Sequence, residues 1–108
     1  AYLAEKGQEE GEERARREEQ AASYREKKAA KNRALAEERR RASRLEEVEK
    51  RVTELEAELE DLGADLANPP DDTGQVAALG RKYDRAESEL DQLLEEWESL
   101  ADAVSSES

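Results

Sequence analysis

Nine cations crowd one short stretch of this chain: Arg25, Lys27, Lys28, Lys31, Arg33, Arg39, Arg40, Arg41 and Arg44. Residues 23–44 hold only three acidic side chains, so the stretch carries a net charge of +6. Lys and Arg clustered on a helix suit contact with a phosphate backbone, which is independent of sequence and weakens with salt. A solvated face that balances acidic neighbours is an equal alternative on composition alone. The densest part is Arg39-Arg40-Arg41 with Arg44.

Other chemistry is thin. The chain has no His and no Cys, which removes His/Cys zinc sites, thiol nucleophiles and imidazole bases. Asp71 and Asp72 could hold a hard cation loosely, but capping a helix is the favoured role. The run from Gly74 through Gly80 to Lys82 looks superficially like a phosphate loop. It has five residues between its glycines, lacks the Lys-Ser/Thr ending and lies on a helical repeat, so it is rejected. Trp97 occupies a seam position and reads as core rather than as a ligand platform. No catalytic, cofactor-binding or metal-ligating residue is assigned.

The elements that position the cations follow from the spacing of apolar residues. Leu45, Val48, Val52, Leu55, Leu59, Leu62 and Leu66 alternate in steps of three and four. Val76, Leu79, Tyr83, Ala86, Leu90, Leu93, Trp97, Leu100 and Val104 do the same. Sixteen such positions without a miss predict two heptad helices sharing a coiled-coil seam. Between them lies a five-residue turn, 68–72, a normal length for antiparallel helices. Pro69 and Pro70 cannot continue the first helix, and Asn68 is expected to take the left-handed conformation there. Asp72 is expected to cap the second helix, with Gln75 completing a capping box.

One antiparallel register satisfies every seam layer. It sets Leu66 against Val76, Leu62 against Leu79, Leu59 against Tyr83 and Leu55 against Ala86. Val52 then faces Leu90, Val48 faces Leu93, and Leu45 faces Trp97. The same register pairs Arg44 with Glu96, Arg51 with Glu89 and Glu58 with Lys82 on one flank, opposite charges that select orientation. On the other flank Gly63 faces Gly80, which would allow close approach or bending. Ala42, Leu94 and Ala101 form a weaker apolar stripe on that flank near the hairpin base. A two-helix hairpin has only one seam with which to offset chain entropy. Support from the basic segment, through Leu35 and Tyr24 lying on that stripe, is therefore expected. The seam register should not extend back beyond Leu45, because it would bury Glu38 and Arg41.

The fold class predicted is thus all-α: an antiparallel two-helix coiled-coil hairpin preceded by a polar, basic helical extension. The expected divisions are a polar helical linker at 1–22, a basic helix at 23–44, the hairpin at 45–104 and a disordered tail at 105–108. Gly7 and Gly11 should interrupt any helix in the first of these. The 108 residues are 44% charged with a net charge of −12, too polar for a conventional globular core. The hairpin and tail, from Leu45 onward, hold five basic and twenty acidic residues, so the overall acidity conceals the basic stretch. No apolar run approaches the roughly 18 residues of a membrane span, and a cytoplasmic origin is the default. A start at Ala1 without Met reads as a piece of something longer.

Several stretches together resemble the C-terminal domain of ABC-F type ATP-binding cassette ATPases, which include Uup-like proteins and ribosome-associated translation factors. Tyr2-Leu3-Ala4-Glu5-Lys6 is similar to the strand-to-helix exit that ends their second ATPase domain. Ser23-Tyr24-Arg25-Glu26-Lys27-Lys28 and Lys31-Asn32-Arg33 are similar to the basic run that opens the family's C-terminal domain. Leu66-Ala67-Asn68-Pro69 resembles its "LADP" turn. Tyr83 with Glu95-Glu96-Trp97-Glu98-Ser99-Leu100 resembles its closing "Y…EEWEEL" element. The resemblance implies an antiparallel hairpin that contacts DNA or ribosomal RNA, through positions 25, 27, 28, 31, 33, 39, 40, 41 and 44 of this chain. It implies ATP and Mg in upstream ATPase domains, no cofactor in this segment, and no membrane partner. The chain departs from the Uup pattern in lacking a Pro before the first hairpin helix and in its acidic arms, which favours ribosome association over DNA.

The expected function is that of a non-catalytic accessory domain that contacts nucleic acid or the ribosome through its basic collar. Two alternatives stay open: the tRNA-binding coiled-coil arm of a valyl-type aminoacyl-tRNA synthetase, and a purely structural or dimerising coiled coil. Pairing of two copies is compatible with each.

Overall fold

The computed structural model describes the backbone of residues 2–107 and the side chains of residues 7–106. It contains two helices, α1 (Tyr2–Ala67) and α2 (Thr73–Glu107), and no strand among the described residues. The chain divides into two compact units, Ala1–Glu37 and Glu38–Ser108.

The first unit is helical through Gly7 and Gly11, which therefore do not interrupt it. Each glycine costs only about 1 kcal/mol relative to Ala, and the surrounding Glu, Arg, Gln and Ala residues are good helix formers. Arg17 and Glu13 pair at 3.9 Å across one turn, a contact of a few tenths of a kcal/mol. The expected match of Tyr2 and Leu3 to the end of a folded element concerns side chains outside the described ones. Tyr24 and Leu35 stay exposed, at 64% and 38%. In the second unit Ala42 and Leu94 are exposed and Ala101 is half-buried. The exposure of Tyr24 and Leu35 has a local reason. Tyr24 has Gln20, Ala21, Lys27 and Lys28 at helical spacing, and Leu35 has Lys31, Asn32, Glu38 and Arg39. Neither side chain has an apolar stripe of its own helix to join.

The second unit is the antiparallel hairpin in the expected register. Val48 and Leu55 are fully buried, and Ala86 nearly so. Leu45, Val52, Leu59, Leu62 and Leu66 are half-buried, as are Val76, Leu79, Tyr83, Leu90, Leu93, Leu100 and Val104. Arg44 donates from Nε and Nη2 to the two Glu96 carboxylate oxygens at 2.7 and 2.9 Å. Arg51 does the same to Glu89 at 2.9 and 3.1 Å. Such two-pronged bonds fix the register because both prongs must be met at once. The third expected pair, Glu58 with Lys82, forms no ion pair among the described residues. The two line one groove with Asp61 and Arg85, and the compact Lys ammonium lacks the guanidinium fork.

Four further details depart from expectation. The seam carries on past Leu45: Glu38 and Arg41 are half-buried while Ala42 is exposed. The same register sets Arg41 across from Leu100 and Glu38 across from Val104. The long aliphatic stem of Arg41 can cover such an apolar partner, and its Nε is buried along with the stem. Trp97 is 41% exposed and Leu94 43%. They line a shallow groove with Glu49, Val52 and Thr53, so the indole is left partly uncovered where a seam residue is expected to be core. α2 runs to Glu107 where a disordered tail from 105 is expected, and Ser106 Oγ donates back to Asp102 O at 2.7 Å. Finally, no non-glycine residue among the described residues has positive φ, so Asn68 is not left-handed. The Pro69 ring pushes its predecessor toward extended backbone, and α1 closes with Asn68 N donating to Ala64 O at 3.2 Å.

Asp72 caps α2 as expected. Its Oδ1 accepts from Gly74 N at 2.7 Å and Gln75 N at 3.4 Å, an arrangement worth about 1 kcal/mol. No hydrogen bond from the Gln75 side chain completes the box among the described residues. Gly63 and Gly80 do not face a crowded backbone. An added Cβ at Gly80 would meet nothing within 4 Å, and one at Gly63 only a Tyr83 ring carbon at 4.0 Å.

Candidate nucleic-acid interface

The helical backbone of α1 carries all nine candidate cations, and the two units present different sets. In the first unit Arg25, Lys27, Lys28, Lys31 and Arg33 are all exposed. Tyr24 stands among them, with Lys28 Nζ lying 6.0 Å from its ring centroid. Tyr24, Lys27, Lys28, Lys31 and Asn32 line an open groove of about 400 Å³. Spacings of four, three and four place Tyr24, Lys28, Lys31 and Leu35 on one stripe of the helix.

In the second unit Arg39 and Arg40 are exposed and Arg41 is half-buried. Arg44 is already engaged. Its fork holds Glu96, and its Nη1 donates to Glu47 Oε2 at 3.3 Å. The hydrogen bonds to Glu96 and then Glu47 push the Arg44 pKa further up, and the same Glu96 bond pulls that carboxyl down against its partial desolvation. Arg51 likewise bonds Glu89 and, at 3.3 Å, Glu54. The Glu89 bond raises the Arg51 pKa and lowers that of Glu89. These two arginines therefore serve the hairpin first. Exposed cations are thus Arg25, Lys27, Lys28, Lys31 and Arg33 in the first unit, and Arg39 and Arg40 in the second.

The hairpin offers the opposite surface, crowded with carboxylates along both arms. Among the described residues no group of three or more His, Cys, Asp or Glu side chains is placed to hold a metal ion. No helix among them is long and apolar enough to cross a membrane. Tyr24, expected from the sequence to serve as apolar support for the hairpin, and Asn32, to which no role is assigned there, complete the groove. The sequence signal for it is an aromatic residue whose neighbours at helical spacing are two lysines, a glutamine and an alanine, with no large apolar side chain among them.

A family model described as ABC transporter C-terminal domain matches residues 36–102. That span holds the first seam arm, the turn, the second arm as far as Leu100 and the cations from Arg39 to Arg44, and it leaves out the groove around Tyr24. Searches of curated proteins and of solved structures give no match.

Proposed function

This chain belongs to the ABC transporter C-terminal domain family, and from that premise we propose that it is the accessory domain of a cytoplasmic ABC-F type ATPase that contacts ribosomal RNA or DNA. ATP and Mg would be handled by upstream ATPase domains, and the segment itself would carry no catalysis. The observation that supports this reading is the separation of charge along the molecule. Exposed cations stand at 25, 27, 28, 31, 33, 39 and 40, while the hairpin arms are strongly acidic and Arg44 and Arg51 are consumed in ion pairs with the second arm. Phosphates would be repelled from the arms and drawn to the helix before them. The hairpin then acts as a rigid spacer, set in register by Arg44–Glu96 and Arg51–Glu89.

The test is equilibrium binding of RNA and DNA to the whole chain at several salt concentrations. Arg39→Ala with Arg40→Ala is the variant of choice, because both side chains are exposed and their loss leaves the seam intact. Affinity is expected to fall at low salt, and the slope of log K against log salt to shrink by roughly 2, one for each phosphate contact removed. Unchanged affinity and slope would defeat the assignment of these two arginines. Absence of any nucleic-acid binding by the unaltered chain would leave the structural coiled coil, for which the exposed Leu94 and Trp97 are the supporting observation.

A further inference from the structure

We infer that the groove around Tyr24 is a stacking site for an unpaired nucleobase, so that the chain prefers single-stranded nucleic acid over duplex. This inference rests on the nucleic-acid reading above and adds to it a ligand class and an anchoring residue outside the family match. Tyr24 is the most exposed of the four exposed large hydrophobic side chains among the described residues, at 64%. It packs in no core, and Lys27, Lys28 and Lys31 sit beside it. An aromatic ring presented to solvent among ammonium groups satisfies the two demands of single-strand binding. The ring offers a face on which any base can stack, and the lysines, all C-terminal to it along the helix, meet the phosphates that follow on that side. Lys27 and Lys28 lie about one helical turn from Tyr24 and Lys31 about two, roughly 5 and 10 Å along the axis, so the charges flank the ring on one side of the helix. Asn32 supplies an amide with both donor and acceptor at the edge of the same groove, the type of group that bonds a base edge. A paired base in a duplex is stacked on both faces and does not offer one to the ring.

The experiment measures binding of the whole chain to three labelled probes at low salt: a twelve-nucleotide oligo(dT), a twelve-nucleotide oligo(U) and a mixed-sequence DNA duplex of twelve base pairs. Tyr24→Ala is compared with Tyr24→Phe and Tyr24→Trp, and circular dichroism confirms that each stays helical. Affinity of Tyr24→Ala for both single strands is expected to drop about tenfold. Its affinity for the duplex should stay within about twofold, because phosphate contacts alone do not need the ring. The Phe and Trp variants should bind single strands as the unaltered chain does. Equal weakening for all three probes would overturn the inference, as would no weakening for any. So would a Phe variant as impaired as Ala, since the hydroxyl rather than the ring would then be responsible. Sedimentation on the same samples adds one more reversal: a Tyr24→Ala chain that binds every probe normally but loses self-association would assign the ring to a second copy. These outcomes differ from failure of the functional proposal, in which the unaltered chain binds none of the probes.

Discussion

Leu55→Ala is expected to be the most damaging single substitution in this chain. Leu55 is fully buried, and the register sets it against Ala86, itself nearly buried. The small partner cannot move in to fill the space, so the loss includes a cavity as well as the transfer of the isobutyl group. Such changes cost about 2–5 kcal/mol. A hairpin unit of 71 residues (38–108) has a total stability of roughly 4–10 kcal/mol by the usual per-residue figure. The midpoint of thermal unfolding, followed by helical circular dichroism, should therefore drop by at least about 10 °C. Leu94→Ala is the internal control, because that side chain is 43% exposed and should shift the midpoint far less. Equal shifts for the two variants would show that the seam is not where stability resides.

The reverse effect is expected at the tip. Gly63→Ala with Gly80→Ala should stabilise the hairpin by about 2 kcal/mol, one for each glycine removed from a helix interior. The gain arises largely in the unfolded chain, which has fewer conformations to lose once Cβ atoms are present. It is realised only where the folded backbone has room, and here it does: Gly80 has open space and Gly63 an ordinary contact with Tyr83. Urea unfolding of the double variant should show a higher midpoint with an unchanged slope. A lower midpoint would mean that the two arms do approach through these glycines.

What was legible in the sequence, and what was not, divides along one physical line. The hairpin, its turn and its register were legible because a repeat of 3.5 residues is carried by many residues at once, and Arg44–Glu96 and Arg51–Glu89 repeat the same answer independently. Features that depend on one side chain choosing between two surroundings were not. Arg41 and Glu38 have charged heads and apolar stems, and the polarity of the head hid the fact that the stem can continue a seam. Trp97 occupies a seam position by spacing, yet its bulk sits partly outside beside Leu94. Asn68 has the right type for a left-handed cap, but the ring of Pro69 decides its backbone. Near Tyr24 the cations were legible from charge alone. The groove they form with Tyr24 and Asn32 was not, because no periodic pattern marks a place where an aromatic ring is left uncovered.

The turn has a consequence for the order in which the hairpin assembles. Leu66 and Val76, the layer nearest the turn, are ten residues apart in sequence, whereas the Arg44–Glu96 contact spans 52. Loop closure costs more as the enclosed chain lengthens, though slowly, and once the tip is paired each further layer encloses only a few new residues. The hairpin should therefore close like a zipper from residues 68–72 outward, with short-range contacts and fast kinetics. Opening runs the other way. The base, where Trp97 is only partly covered and charged stems stand in for leucines, is the end that parts first. Native-state amide hydrogen exchange is expected to be fastest in α2 around Leu100–Val104 and slowest around Leu55 and Ala86. A partner bound at the Arg39–Arg40 end would thus meet the least stable part of the hairpin, where holding it shut takes the least binding energy.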